Sequence, residues 1–240
     1  MVLLSVIIPA YNEENTIIEV LNRVKKVNLE KYGIKKEIIV VSDGSTDNTM
    51  KYARSFKETK VIDNIKNQGK GAAVRKGIKY STGDIIIIQD ADLEYNPEEY
   101  YLILKPILEG KAEVVYGSRF LHLLKRPRET FFIRKYKRSG FMAALGGRII
   151  TIVTNILYRT NLTDEPTCYK CFKSSVIKSI NIESNRFNWE PEVTAKIAKK
   201  GIKIHEVPIA YKPRTFQEGK KINWKDGFQA ILTLLKYRIK

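Results

Sequence analysis

Two aspartates separated by one residue follow a run of four isoleucines in the stretch 85–97, IIIIQDADLEYNP. A run this apolar predicts a buried strand, and residues i and i+2 of an extended chain point to the same side. We therefore expect Asp90 and Asp92 to project together, with Glu94 continuing the alternation. Converging carboxylates repel one another unless a cation lies between them. Hard oxygen ligands with open positions suit Mg²⁺ or Mn²⁺ bridging a diphosphate, so these three residues are candidate metal ligands. The alternative is a solvated turn in which Asp92 caps a local loop.

Two further polar segments follow predicted strands: PAYNEE after residues 3–8, and SDGSTD after residues 37–41. In parallel sheets ligands bind at the carboxyl ends of the strands, so we expect these segments and QDADLE to meet along one edge. The loop NQGKGAA precedes a helix, and its Lys70 can reach a phosphate or can belong to a simple turn. The sequence contains neither the dinucleotide-binding fingerprint nor the P-loop motif.

Strands alternate with helices along the chain, which predicts an α/β fold with a mostly parallel sheet covered on both faces. Asn12 is the expected cap of the first helix, and Ser45 or Thr46 the expected cap of the second. Strands are expected over residues 3–8, 37–41, 61–62, 84–89, 113–116 and 203–211. Helices are expected over residues 13–27, 46–56 and 191–200, after NQGKGAA, from Pro97 onward and over 226–240.

The charge balance indicates an anionic partner. The 240 residues include 43 Lys and Arg against 26 Asp and Glu, a formal charge of +17. Nucleic acid is one candidate, but no known binding motif occurs and the acidic DADLE segment would repel phosphate without a metal. We therefore expect no nucleic-acid partner. The remaining candidates for the anionic partner are a membrane surface and a phosphorylated substrate.

The second half of the chain favours the membrane. Residues 119–138 hold eight basic residues and one acidic residue, and the apolar segment 141–158 follows, only about the minimum spanning length and interrupted by an arginine. A basic patch beside an apolar helix too short to span is typical of docking onto an anionic membrane surface. Arg134, Lys135 and Arg138 are candidates to hold a lipid phosphate. The alternative is a core helix beside a solvated loop.

The two cysteines, Cys168 and Cys171, are expected to be ordinary thiols. One C-x-x-C pair cannot complete a four-ligand zinc site, and His122 and His205 lie far away at irregular spacing. The first residues form an apolar strand without the charged region of a signal peptide, which favours a cytoplasmic protein.

Five segments resemble family 2 glycosyltransferases with the GT-A fold in their order and spacing: SVIIPAYNEE, VVSDGSTDNT, NQGKGAAVRKG, DADLEYNPEE and YGSRF. The chain is most similar to the dolichol-phosphate mannose synthase-like branch. The resemblance covers residues 3 to about 120 and extends more loosely to about 225. Two positions depart from the usual pattern: Ser42 begins the segment that is usually Asp-Asp-Gly-Ser, and Glu94 stands where close relatives often have glutamine.

The resemblance implies a Rossmann-like GT-A domain over residues 1–225. Residues 1–120 would bind the nucleotide sugar, 121–225 would face the acceptor, and an amphipathic helix would follow over 226–240. Asp92 and Arg119 are the catalytic candidates. The implied nucleoside-binding residues are Pro9, Tyr11, Glu13, Val41 and Asp43. The residues Asp90, Ala91 and Asp92 would contact the ribose, the diphosphate and the metal. The phosphates would be bound by Lys70, Arg119, Arg214 and Lys220.

The resemblance also implies transfer with inversion at the anomeric carbon, from a donor such as GDP-mannose or UDP-glucose. A hydroxyl acceptor needs a protein base, for which Asp164, Glu165 and Glu190 are candidates. A phosphate acceptor needs none, because a phosphate monoester with a second pKa of about 6 is already largely ionised near neutral pH. The basic second half favours a polyprenyl (dolichyl) phosphate, delivered to an enzyme that is peripheral at the cytoplasmic face of the membrane. A hydroxyl acceptor on a glycan or lipid-linked oligosaccharide is the alternative.

Overall fold

A seven-stranded sheet forms the centre of the protein. The structure, a computed structural model, describes residues 1–121, 138–212 and 224–240, with the backbone alone for 138–143. The strands are β1 (Val2–Ala10), β2 (Ile34–Ser42), β3 (Thr59–Asp63), β4 (Ile85–Ile88), β5 (Val114–Ser118), β6 (Lys170–Lys173) and β7 (Ile204–Pro208). Their order is β3-β2-β1-β4-β6-β5-β7. All neighbouring pairs are parallel except those of β6, which runs antiparallel to β4 and β5.

Helices cover both faces of the sheet. They are α1 (Ile17–Lys26), α2 (Thr49–Arg54), α3 (Lys70–Tyr80), α4 (Tyr100–Leu108), α5 (Arg138–Tyr158), α6 (Ser174–Lys178), α7 (Trp189–Lys199) and α8 (Trp224–Ile239), with 3₁₀ turns at Glu30–Tyr32 and Pro97–Glu99. Successive residues of a strand face opposite sides. Thus Val6 and Ile8 pack towards α1 and α4, whereas Ile7 packs towards α3 and α7. The predicted mostly parallel α/β sheet, covered on both faces, is confirmed.

One strand was not predicted. β6 spans only Lys170–Lys173, within the segment that contains both cysteines. Its residues Lys170, Cys171 and Phe172 are buried, and it pairs with β4 and β5. Alternation of apolar and polar residues marks a strand with one solvated face, so a four-residue strand buried on both faces gives little signal.

The first two helices begin later than predicted. The backbone N–H groups of Glu13 and Glu14 donate to the side chains of Thr49 and Asp47, so the chain turns before α1 begins at Ile17. Asn12 caps no helix: its side chain accepts from the backbone N–H of Thr46. The expected caps of α2, Ser45 and Thr46, are also wrong, since that helix begins at Thr49.

The helices α5, α7 and α8 pack against one another at one end of the molecule. Their shared cluster includes Ile150, Ala195 and Leu234, and the hydroxyl of Tyr158 donates to the backbone oxygen of Leu234 at 2.6 Å. The outer sides of α5 and α8 are apolar as well: Leu145, Ile149, Ile152, Ile156, Trp224, Phe228, Leu232, Leu235 and Ile239 are all exposed. The segment 141–158 is therefore neither a core helix nor a fully exposed one.

Within the described ranges, no helix is both long enough and apolar enough to cross a membrane. A helix, α8, covers most of the segment 226–240, where an amphipathic helix is predicted. The division of the chain into donor-side and acceptor-side halves stays a prediction.

Candidate active site

The carboxyl ends of three neighbouring strands bring the polar segments of the sequence together. Pro9 at the end of β1 is in register with Val41 of β2, and the Asp43 N–H donates to the Ala10 oxygen at 2.8 Å. On the other side of β1, the Gln89 N–H donates to the oxygen of Ile7 at 2.9 Å. The segments PAYNEE, SDGSTD and QDADLE therefore share one edge of the sheet, as predicted.

The loops after β1 and β2 are joined by hydrogen bonds. The Asn12 N–H donates to Ser45 Oγ at 3.1 Å, and the Thr46 N–H donates to Asn12 Oδ1 at 2.9 Å. Asn12 reaches this position with a φ of 51°. Together with the hydrogen bond from Asp43 to the Ala10 oxygen, these contacts fix the main chain on both sides of Tyr11, a half-buried residue of the predicted nucleoside site.

Asp43 is buried and holds a second loop. Its Oδ1 accepts from Asn64 Nδ2 at 3.1 Å and from the Gln68 N–H at 3.0 Å, and its Oδ2 accepts from the Gly69 N–H at 2.6 Å. Gly69 has a φ of 104°, and a Cβ there would lie 2.5 Å from the oxygen of Asn185. The predicted contact of Asp43 with the base stays a prediction, and the structure shows that the same carboxylate fixes the start of α3.

Lys70, the first residue of α3, lies among acidic and thiol groups. Its Nζ is 2.8 Å from Oδ1 and 3.1 Å from Oδ2 of Asp90, and 3.1 Å from Glu190 Oε1. Cys168 Sγ is also 3.1 Å away. The three charged side chains are only 8–13% exposed. Glu190 lies 120 positions along the chain from Lys70, so no sequence pattern predicts this pair.

The environment keeps Lys70 charged and Cys168 neutral. Burial alone would lower the pKa of Lys70, but the negative charges of Asp90 and Glu190 raise it well above its usual value. Burial and the same carboxylates raise the pKa of the Cys168 thiol well above its usual value. Burial likewise raises the pKa of Cys171, so both cysteines are unreactive free thiols, as expected.

Asp92 and Glu94 lie in a turn rather than in an extended segment. β4 ends at Ile88, Leu93 has a φ of 64°, and the Glu94 N–H donates to Asp92 Oδ1 at 3.1 Å. The prediction that the alternation of an extended chain would align the three carboxylates is therefore wrong, because the chain is not extended here. Asp92 caps the local turn, which was the alternative interpretation, and it remains close to Asp90 along the chain.

Gln89 fixes the main chain at this point, a role that the sequence pattern did not predict. Its Oε1 accepts from the hydroxyls of Tyr100 at 2.9 Å and Tyr169 at 2.7 Å, and its Nε2 donates to the oxygen of Asp90 at 3.0 Å. The position of Gln89, immediately before Asp90 at the end of a buried strand, was the available signal.

Arg119, after β5, is held by an acidic residue. Its Nε and Nη2 each lie 2.7 Å from an oxygen of Asp164, and its guanidinium stacks 4.9 Å from the ring centre of Tyr211. The Tyr211 hydroxyl donates to Glu94 Oε2 at 2.9 Å. The predicted phosphate-binding arginine is thus connected to the third candidate metal ligand through one tyrosine.

A buried polar cluster lies behind this pair. Glu165 Oε1 accepts from Thr194 at 2.8 Å, and the Nζ of Lys170 is 3.8 Å from the same oxygen and donates to the Glu165 backbone oxygen at 2.6 Å. Lys170 also lies 3.8 Å from the ring centre of Tyr116. Burial raises the pKa of Glu165.

The remaining predicted residues differ in how far the structure describes them. Pro9 and Glu13 are half-buried at the sheet edge, Val41 packs beside Ile39 and Ala73, and Ala91 is buried. Outside the described residues lie Arg134, Lys135, Arg214 and Lys220, together with the side chain of Arg138.

The acidic residues fit a divalent ion that is held partly by its substrate. No group of three acidic, His or Cys residues arranged around a metal position occurs in the described part of the chain. Mg²⁺ is commonly bound through one or two carboxylates plus substrate phosphates, for which Asp90 with Asp92 suffices. The ammonium of Lys70, in contact with both oxygens of Asp90, shows that this carboxylate accepts a cation.

The fold is that of the GT-A glycosyltransferases. Two solved structures of glucosyl-3-phosphoglycerate synthase from Mycobacterium tuberculosis superpose on it. One, with Mg²⁺ and UDP, has a TM-score of 0.72 at 21% identity and covers 98% of this chain and 79% of its own. The other, with Mn²⁺, UDP-glucose and phosphoglyceric acid, has a TM-score of 0.71 at 20% identity over 99% and 80%.

The chain belongs to glycosyltransferase family 2, whose model, "Glycosyl transferase family 2", matches residues 5–180. The UDP-N-acetylglucosamine–dolichyl-phosphate N-acetylglucosaminyltransferase of Methanococcus voltae is 28% identical over 99% of this chain and 96% of its own length. The dolichol-phosphate mannosyltransferase of Pyrococcus furiosus is 28% identical over 90% of this chain and 58% of its own length. The resemblance to this branch is confirmed, and the protein is a glycosyltransferase.

Proposed function

We propose that the protein transfers a sugar, in a metal-dependent and inverting reaction, from a nucleotide sugar to a polyprenyl phosphate of the dolichyl type. The relatives named above use dolichyl phosphate according to their names, and a further one is a dolichyl-phosphate β-glucosyltransferase of Trichomonas vaginalis, 25% identical over 99% of this chain. The names share the dolichyl phosphate but differ in the sugar, so they support the proposed acceptor more strongly than any one donor.

The state of the three candidate bases carries the proposal. Asp164 is ion-paired with Arg119, Glu190 with Lys70, and Glu165 is buried beside Lys170. All three carboxylates are buried and lie beside a cation of the protein, so none of them is exposed to take a proton from an acceptor hydroxyl. A hydroxyl acceptor would need one of them as a base, whereas an ionised phosphate needs none.

The residues at the sheet edge then have distinct tasks. Tyr11 and Glu13 would contact the nucleoside, and Asp90 and Asp92 would hold the metal ion, which stabilises the negative charge of the leaving diphosphate. A phosphate oxygen of the acceptor forms a bond to the anomeric carbon as the bond to the diphosphate breaks. The nucleoside diphosphate leaves with the electron pair, and no proton has to move.

Because the proposed acceptor has a lipid tail, the enzyme would bind it at a membrane surface. The exposed apolar sides of α5 and α8 suit the boundary between headgroups and acyl chains. α8 also carries Lys225, Lys236 and Arg238, and Lys240 follows it; these cations would attract anionic lipids. We propose a peripheral enzyme at the cytoplasmic face of the membrane.

Donor binding tests the first half of the proposal. Thermal melting should be recorded with Mn²⁺ or Mg²⁺ and each of GDP-mannose, UDP-glucose and UDP-N-acetylglucosamine. We expect stabilisation by one nucleoside class, dependent on the metal and lost in Asp92→Ala. If none of these donors raises the melting temperature, the proposed donor chemistry is wrong.

A hydroxyl acceptor is the second candidate, favoured by the contact of one ammonium, that of Lys70, with both Glu190 and Asp90. Replacing Glu190 or Asp164 cannot decide the matter alone, because each change also removes the counter-ion of Lys70 or Arg119. Comparison of two lipids that differ only in the phosphate avoids this problem.

A further inference from the structure

One ammonium spans both oxygens of the first aspartate of the Asp-x-Asp segment. Lys70 Nζ lies 2.8 Å from Asp90 Oδ1 and 3.1 Å from Oδ2, and these are oxygens that a divalent ion would use. We propose that Lys70 is a resident cation, which occupies the metal position at Asp90 until metal and donor arrive and then moves to the diphosphate while keeping its contact with Glu190. This inference rests on the metal-dependent donor binding proposed above.

The main chain around Lys70 is fixed, so only its side chain can make this exchange. The N–H groups of Gln68 and Gly69 donate to Asp43, and the N–H of Ala72 donates to the oxygen of Asn185 at 3.0 Å. The lysine side chain has four rotatable carbon bonds and a compact charge, which allows the ammonium to change partners without moving α3.

The charge balance explains why a protein cation lies beside Asp90. Asp90 and Glu190 are both nearly buried, and a buried carboxylate that loses its partner destabilises a protein strongly. Lys70 supplies one positive charge to these two carboxylates. A divalent ion at Asp90 adds the missing charge, while Lys70 keeps its contact with Glu190.

The consequence is competition between Lys70 and the metal. A metal ion alone must displace the ammonium from Asp90, whereas a metal that arrives with a diphosphate offers the ammonium new phosphate oxygens. Metal and nucleotide should therefore bind cooperatively, and removal of the lysine charge should uncouple them.

Mn²⁺ binding to the whole protein, followed by electron paramagnetic resonance of the free ion, tests this competition. Without nucleotide, Lys70→Met should bind Mn²⁺ about tenfold more tightly than the wild type, within the usual range for two coupled ligands. Lys70→Arg, which keeps the charge, should stay weak. Lys79→Met, which removes an exposed lysine from the same helix, controls for the general loss of positive charge. Added UDP or GDP should tighten Mn²⁺ binding by the wild type more than by Lys70→Met.

Equal or weaker Mn²⁺ binding by Lys70→Met would overturn the inference. If that variant does not fold, Lys70→Gln carries the same expectation, because its amide keeps a donor without the charge. Failure of the proposed function is distinguishable: the wild type would then bind no Mn²⁺ even with a nucleoside diphosphate. Wild-type binding with nucleotide but no difference in the variants would remove only the role of Lys70.

Discussion

Arg119 and Asp164 form a two-point ion pair at the end of β5, with Nε and Nη2 each 2.7 Å from a carboxylate oxygen. Asp164 is fully buried, and its Oδ2 also accepts from the Arg119 N–H at 2.9 Å. The pair holds the guanidinium against the ring of Tyr211 in one orientation. The contribution of this ion pair to the stability of the protein and its contribution to sugar transfer can be measured separately.

Asp164→Ala should lower the free energy of unfolding by about 3 kcal/mol, because it leaves a largely buried guanidinium unpaired. The double variant with Arg119→Ala should lose less than the sum of the single changes. Urea unfolding of the four proteins measures this coupling, and strictly additive losses would contradict it. Arg119→Lys should fold but transfer sugar more slowly, since an ammonium cannot reproduce the two-point contact.

The exposed apolar sides of α5 and α8 should bind membranes. Ile156 is 72% exposed and Phe228 59% exposed. Replacing both with glutamate should weaken binding to anionic vesicles at least about tenfold, because two apolar side chains would no longer be buried in the interface. Co-sedimentation with vesicles that contain phosphatidylserine measures the loss. Leu102→Glu on α4, 40% exposed before the change, is the matched control. Unchanged sedimentation of the double variant would exclude this surface as the docking face.

Glu183 should make the packing of α8 sensitive to acid. It accepts hydrogen bonds from Lys240 at 2.9 Å and Tyr237 at 3.0 Å, and these bonds lower the pKa of Glu183 to about 2. The unfolded chain therefore takes up this proton first as the pH falls. The stabilisation by Glu183 is present above the usual carboxyl pKa and is lost as the pH falls towards 2.

Melting temperatures at pH 7, 5, 4 and 3 test this prediction. Glu183→Gln should melt below the wild type at neutral pH, and the gap should close as the pH falls. Glu113→Gln, an exposed glutamate beside β5, should show no such closing gap. A constant difference between wild type and Glu183→Gln across this range would show that the charge is not responsible.

The sequence predicted the sheet edge well because the rule for parallel strands is general. Apolar runs predicted β1, β2 and β4, and their polar ends had to meet at one edge. The turn at Asp92 was only the alternative interpretation, because it depends on the positive φ of Leu93, a conformation that leucine rarely adopts. The contact of Lys70 with Glu190 depends on packing between α3 and α7, which the pattern of either helix alone does not specify.

The choice of acceptor tests the central claim most directly. The wild type should be incubated with Mn²⁺, the stabilising donor carrying a radioactive sugar, and either dolichyl phosphate or dolichol in the same detergent. We predict transfer of the label to dolichyl phosphate, abolished by a chelator, and none to dolichol, because the three candidate bases are buried beside Arg119, Lys70 and Lys170. Transfer to dolichol, or to a glycan hydroxyl with none to dolichyl phosphate, would contradict the account.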